Sequence, residues 1–456
     1  MNFVNGETTR MELGKDKLER VDKSSDGEYL NVYEHTSIST ADILNPDVVD
    51  QFVSLTHEQY KQRLGGNLSG KLKGFFTDEP QYSREGIPWS IYLKAKYEKR
   101  HNKKIEKDLI YLFEDGGDIS KAIRFDYYSL ACELFVSFQK YVYEWCEENG
   151  YMVTGHPIDE NHLFGQVACC GAAMQFYEYE HIPGIDYLGR GLTDDVAPKQ
   201  LGSACAQLGK KKTLSEMFGC CGWDVTPTEL KRIAELQYVG GVNIMCQHLY
   251  AYSIRGQRKR DYPANYSEHL PWQDKMKQFN NYFNNLGYML SLGEEYANTL
   301  VIHPVHAAYL TYKRGEDYRS IKDVEDAFFA LSNKLSQAQI PYHWGDECMM
   351  AKMGAVEGNK IRVGLCTDDY VVIPSFDTID ASTVELLKQF LANGGKVWCS
   401  GVLPTRIEGK KADLSWLSST TTFEEIAAAA EVKLCAENRE GFRQMIRNTN
   451  SGKLVY

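Results

Sequence analysis

The sequence predicts an α/β chain, a (β/α)8-type barrel without its first strands followed by a flavodoxin-like three-layer domain. Three observations carry this. Strand and amphipathic helix patterns alternate five times between Gly74 and Leu290, which calls for a parallel sheet with right-handed crossovers. The stretch Gly74 to Pro80, GFFTDEP, reads as a buried strand running into two adjacent acids and stopped by a proline that cannot donate to a ladder. From Leu300 the pattern changes to short apolar strands separated by helices, with close connections.

In chain order, Arg10 to Ile38 alternates charged and apolar residues around a Lys23 to Gly27 turn and reads as a hairpin ending in the strand Tyr29 to His35. Asn45-Pro46 starts a helix that runs to about Arg63, and Gly65-Gly66 ends it. The helix Tyr127 to Glu148 carries Leu130, Leu134, Phe135, Phe138, Val142 and Trp145 on one side. Strands follow at Tyr151 to Gly155, Gly184 to Leu188, Lys212 to Glu216 and Val242 to His248, separated by helices at Lys199 to Leu208 and Pro227 to Gly240; the helix Pro271 to Leu290 closes the series. A complete barrel takes about 250 residues and eight strands. Five strands counted from Gly74 do not fill one, so both ends of the chain read as cuts in a longer parent.

The second domain is built from strands at Thr299 to His303, Ile340 to Trp344, Ile361 to Leu365, Tyr370 to Ile373 and Lys396 to Ser400, with helices at Ser320 to Gln337 and Ser382 to Ala392. It has no GxGxxG or Walker sequence, and no cysteine stands at a strand-helix elbow with an evident histidine partner. The expected division is 1–298 for the barrel, with its N-terminal hairpin region in 1–40, then 299–411 for the flavodoxin-like domain, then 412–456 as the start of a further segment.

A net charge of −11 argues against nucleic acid as the main partner. No run of about 18 apolar residues exists to span a bilayer, and Met1 to Thr9 contains no charged-then-apolar signal pattern. Twelve cysteines without CxxC or zinc-finger spacing read as reduced, buried thiols, so a cytoplasmic location is expected, with a signal peptide ahead of a cut N-terminus left open. An aromatic content of 12% suits sugar stacking and ordinary cores alike.

The chemistry centres on Glu79 and Glu216, each at the end of a strand, three strands apart in the parallel series. In a barrel both point into one mouth, as glycoside hydrolysis requires: one carboxyl protonated, the other ionised. Asp78 beside Glu79 would raise that acid by like-charge repulsion, which makes Glu79 the proton donor and Glu216 the base or nucleophile. Asp78, His156, Glu178, Trp223, His248, Tyr252 and Arg258 are further candidates for substrate contact, set against plain packing or solvation. Asp224, Thr226 and Pro227 read as helix-capping chemistry.

FTDEP, the TGH of Thr154 to His156, LSEMFG at Leu214 to Gly219, GWD at Gly222 to Asp224 and QHLYAYSIRGQRKRDYP from Gln247 to Pro263 together resemble the barrel core of family 106 glycoside hydrolases, the α-L-rhamnosidase-like group of clan A type barrel glycosidases. The second domain is similar to the amidotransferase-like, catalytically silent domain that follows the barrel in family 42 β-galactosidases. The resemblance covers Asp42 to Gly401. It implies that Gly74 to Glu79 is strand four and Lys212 to Glu216 strand seven, that strand three lies near Tyr29 to His35, and that strands one and two are absent. It also implies a carbohydrate substrate, an inverting reaction and calcium as the one ion to expect, no other cofactor being called for. Asp78 departs from the asparagine that clan A carries before its acid, which puts the usual sugar contact and a retaining outcome in doubt. A family 42-like β-galactosidase, which would form a homo-oligomer, and a carbohydrate-binding scaffold without turnover are the alternatives.

Overall fold

The computed structural model describes residues 3–4, 7–8, 17–23, 29–34, 40–64, 70, 72–83, 86–314, 317–430, 432–433 and 442–456. Five parallel strands form an arc, β1 (Gly74–Asp78), β2 (Met152–His156), β3 (Gly184–Asp186), β4 (Leu214–Met217) and β5 (Ile244–Gln247). Each pairs with the next in sequence, β2 reaching β3 through the single parallel bridge Thr154 to Ile182. Among the described residues the arc does not close, since neither β1 nor β5 pairs with a further strand.

Local chemistry sets the crossovers. Asn45 caps the helix Pro46–Leu55 by accepting from the Asp47 amide, and Thr226 with Glu229 forms a full capping box ahead of α3 (Pro227–Gly240). The helix α1 (Asp118–Glu148) buries Leu130, Leu134, Phe135, Phe138 and Val142, while Trp145 stays half-covered, stacked on Tyr151 and donating to Glu58. The helix α2 (Val196–Leu208) ends where Gly209 takes φ 72, a left-handed cap that favours glycine. Gly155 is required for another reason: a Cβ there would stand 2.1 Å from the Thr77 carbonyl oxygen, so β1 and β2 approach closely one residue before His156.

The second sheet is parallel, in the order β7 (Tyr342–Gly345), β6 (Thr299–Ile302), β8 (Tyr370–Ile373), β9 (Lys396–Cys399). Strands β6, β7 and β8 are buried throughout, as a sheet covered on both faces must be. Val301, Trp344 and Val372 turn toward the arc and share its core with Leu201 and Ala204 of α2. Leu300, Ile302, Val371 and Ile373 face the other way, against Leu387 and Phe390 of the helix Ala381–Ala392. Polar links cross the junction: Ser203 Oγ accepts from the Trp344 amide at 3.0 Å and Gln207 Nε2 donates to the Trp344 carbonyl at 2.8 Å. Beyond the sheet, Leu414 and Leu417 join its outer core, Ile426 and Met445 join the main core, and Ile446–Thr449 pairs with Glu294–Glu295 and Gly452–Val455.

Three expectations are corrected. Tyr29–Glu34 is the second arm of the expected hairpin, antiparallel to Lys17–Lys23, and does not lie beside β1 as a third barrel strand. Lys360–Val363 belongs to a separate antiparallel meander with Gly354–Glu357 and Cys366–Asp368. An apolar strand pattern fixes the residue's face but not its partner, which is why Lys360–Val363 was assigned to the wrong sheet, whereas the strand-three place for Tyr29–Glu34 came from the resemblance alone. The single helix expected after Asn45 breaks at Thr56 into Pro46–Leu55 and His57–Leu64.

Candidate active site

The arc delivers a charged residue at nearly every carboxyl end. Strand β1 ends in Asp78 with Glu79 next, β2 in His156, β3 in Asp186; β4 carries Glu216, and His248 follows β5. Register sets them in two rows, Asp78 opposite His156 and Asp186 opposite Glu216. Glu79 sits at φ 46, a left-handed conformation that costs a non-glycine residue about 1 kcal/mol and turns the chain sharply ahead of Pro80.

His156 is the hub. Its Nε2 lies 2.6 Å from Glu216 Oε2 and 3.5 Å from Asp78 Oδ1, and its Nδ1 donates to the Pro157 carbonyl at 3.0 Å. Burial opposes charge on the ring, but the hydrogen bond to Glu216 and the carboxyl groups of Glu160 and Asp186 prevail and push its pKa up to about 10. Burial likewise opposes ionisation of Glu216, yet the His156 bond, with His248 Nε2 at 3.6 Å from Oε1, holds it below its ordinary range. Glu216 is therefore a carboxylate clamped by an imidazolium.

Asp186 behaves in the opposite way. Burial raises it, His156 opposes, and a hydrogen bond with Glu79 raises it further, to about 7. Asp186 thus keeps its proton to about neutral pH, hydrogen-bonded to the Glu79 carboxyl. Beneath them Glu160 is fully buried and raised by desolvation; its Oε1 accepts from the Asp186 amide at 3.2 Å. Glu180, also buried, accepts from the Gly184 amide at 3.3 Å.

The structure therefore brings together Asp78, Glu79, His156, Glu216 and His248. Asp78 turns to His156 and solvent, and the carboxyl hydrogen-bonded to Glu79 is Asp186. Asp186 was missed because the strand was expected to run on to Leu188, which made the acid look internal; a carboxylate closing a strand was the signal that could have found it. Trp223 and Tyr252 lie on the exposed rim, Trp223 Nε1 donating to the Lys259 carbonyl at 2.8 Å. Arg258 is exposed and makes no ion pair among the described residues. Glu178 is not part of this group: it pairs with Lys352 at 2.6 Å, on the helix Glu347–Met353 of the second sheet. Asp224 does not cap α3 but makes a two-pronged bond to Arg190 at 2.9 and 3.0 Å; Thr226 is the cap.

Asp78, His156 and Glu216 each place one donor atom within 4.8 Å of the others. The imidazole among them departs from the all-oxygen shell that calcium takes.

No family model and no curated protein matches this chain. Its fold is matched among solved structures. A rhamnosidase from Novosphingobium sp. PP1Y superposes with a TM-score of 0.62 at 12% identity, over 92% of this chain and 43% of that one. An exo-carrageenase GH42 from Bacteroides ovatus gives 0.55 at 12% identity, over 85% and 58%, and a β-galactosidase from Bacillus circulans sp. alkalophilus gives 0.53 at 12%, over 86% and 59%. The chain thus shares an α/β fold with glycosidase barrels and spans less than two thirds of each. Among the described residues no helix is long and apolar enough to cross a membrane.

Proposed function

We propose that this chain is a glycoside hydrolase in which Glu216 is the ionised carboxylate and Glu79, hydrogen-bonded to the raised carboxyl of Asp186, is the general acid. The observation that carries this is the contrast between two carboxyl groups at one mouth. Glu216 is bonded to a charged His156 at 2.6 Å, whereas Glu79 is bonded to another carboxyl. Environments that hold two acids in opposite protonation states are what acid-assisted glycoside cleavage needs.

In the reaction the Glu79–Asp186 pair gives its proton to the departing glycosidic oxygen as the bond to the anomeric carbon breaks. The positive charge that develops on the sugar faces the Glu216 carboxylate, which either bonds to the anomeric carbon or takes a proton from an attacking water. His156 and His248 fix the orientation of Glu216 throughout. Trp223 and Tyr252 offer flat rim surfaces for a sugar ring, and Arg258 a cation for a polar substituent. A deoxyhexose glycoside of the rhamnoside kind is the substrate we favour. The sequence motifs support it, as does the fuller overlay on the rhamnosidase than on the family 42 structures.

The test is hydrolysis of a panel of aryl glycosides by the protein and by Glu79→Gln and Glu216→Gln. Turnover of at least one glycoside, reduced about 100-fold or more by each substitution, is expected. Turnover that survives both substitutions removes the assignment, and sugar binding without any turnover favours a scaffold.

A further inference from the structure

The loop that leaves β5 at the mouth carries charge that the cleavage chemistry does not account for. Between Tyr252 and Tyr262 the chain reads SIRGQRKRD, with Arg255, Arg258, Lys259 and Arg260 inside six residues of a protein whose net charge is −11. Surface cations ordinarily pair with acids nearby. Here the acids stand apart. All four side chains are exposed and, among the described residues, none forms an ion pair. Of the two acids close by in sequence, Asp261 is exposed and forms none either, and Glu268 accepts from the Tyr250 hydroxyl at 3.2 Å.

The loop is nevertheless fastened at the mouth. The Tyr262 ring lies 5.5 Å from that of His248, whose Nε2 stands 3.6 Å from Glu216. Trp223, on the loop after β4, donates its indole N–H to the Lys259 carbonyl at 2.8 Å, and the Gly222 amide donates to the Pro263 carbonyl at 2.9 Å. The turn Gly256–Arg260 therefore belongs to the rim beside the ionised carboxylate, on the same loops as the exposed rings of Trp223, Tyr252 and Tyr262. Within the mouth the sign reverses. Asp78, Glu79, Asp186 and Glu216 stand at the strand ends, so an anionic sugar is repelled at the cleaved position and attracted at the rim. A glycan that joins a neutral sugar to an acidic one matches both.

We propose that the substrate of this mouth is an anionic glycan, a neutral sugar linked to a unit that bears a carboxylate or sulfate, with the acidic group received by Arg255, Arg258 and Arg260. The inference rests on the glycoside hydrolase reading and adds a charge to the substrate named there. A guanidinium holds an oxyanion through two parallel N–H···O bonds, a geometry that a lysine ammonium lacks. A nucleic-acid strand is the other polyanion that cations and aromatic rings together can hold. It is charged at every phosphate and would carry those charges across the carboxyl groups of the mouth.

The experiment measures binding to the full chain carrying Glu216→Gln, so that ligand is not consumed. Two matched pairs are titrated by calorimetry at about 0.01 M salt, where charges act over about 30 Å. One pair is an oligosaccharide alternating rhamnose and galacturonate with its methyl ester, the other a sulfated galactan fragment with its desulfated form. At least one acidic member should bind about 10-fold or more tightly than its neutral partner, and the pair that shows this tells carboxylate from sulfate. The preference should vanish at about 1 M salt, where charges act over about 3 Å, and in Arg255→Gln/Arg258→Gln/Arg260→Gln. Circular dichroism checks that the triple variant folds, and the salt series carries the test if it does not. Equal affinity within both pairs, a preference that survives the triple substitution in a folded protein or survives high salt, or a single-stranded oligouridylate bound as tightly as the acidic glycan would each overturn the proposal. The two readings fail separately. Hydrolysis of neutral glycosides with no preference for acidic ligands removes the charged substrate alone, whereas an arginine-dependent preference without turnover of any glycoside leaves the anionic-glycan site standing and removes the catalytic assignment.

Discussion

Replacing His156 by glutamine keeps a polar group of similar length beside Glu216 and removes the cation. The folded pKa of about 10 stands above the ordinary 6.5, and at 1.36 kcal/mol per unit the full shift is worth about 5 kcal/mol. Burial of both partners opposes the pairing, so about 2–3 kcal/mol is the working expectation. The sign follows from the direction of the shift. A pKa raised on folding contributes stability that is fully present below 6.5 and is lost as pH rises through 10. The wild-type protein should therefore lose about 2–3 kcal/mol more than His156→Gln between neutral pH and pH 10. Urea denaturation at a series of pH values measures this, the difference between the two proteins cancelling tyrosines and lysines that titrate in the same range. Removing the cation also lets Asp186 keep its proton to higher pH, so the comparison is read from the upper half of the window. Parallel stability curves for the two proteins would refute the claim that His156 is charged in the fold.

Other outcomes follow from the same structure. Because Asp186 is raised to about 7, kcat/KM on any glycoside the protein cleaves should fall as pH rises above about 7, and Asp186→Asn should displace that limb, as a pH–rate profile will show. Phe135, fully buried and stacked on Phe176 at 5.4 Å, should cost about 3–5 kcal/mol when cut to alanine, read from urea midpoints. Thr226→Ala should cost about 1 kcal/mol by removing the capping box of α3, measured in the same way.

Much of the arc was legible because its strands are bounded by residues with one structural meaning. Pro80 ends β1, Gly150 and Gly209 close the helices ahead of β2 and β4, and Thr226-Pro227 opens α3 at the expected residue. The same logic placed Glu79, Glu216, His156 and His248 at or just beyond strand ends. What stayed hidden depends on contacts between distant segments. Asp186 lies in a strand shorter than its apolar run, and Glu160 and Glu180 are buried acids whose burial no local pattern announces. Glu178, read as facing the mouth, is drawn away by Lys352, more than 170 positions later in the chain. The partner of Tyr29–Glu34 and the meeting of His306 with Cys348 are likewise properties of the folded chain, set by which elements pack together.

The division of labour between Glu79 and Glu216 is tested most directly by leaving-group dependence. Glu79→Gln should lose about 100-fold or more on a glycoside whose leaving oxygen needs a proton, such as an alkyl glycoside, and far less on a dinitrophenyl glycoside, which departs unaided. Glu216→Gln should lose heavily on both. Equal losses for Glu79→Gln on the two substrates, or rescue of Glu216→Gln by the better leaving group, would contradict the assignment.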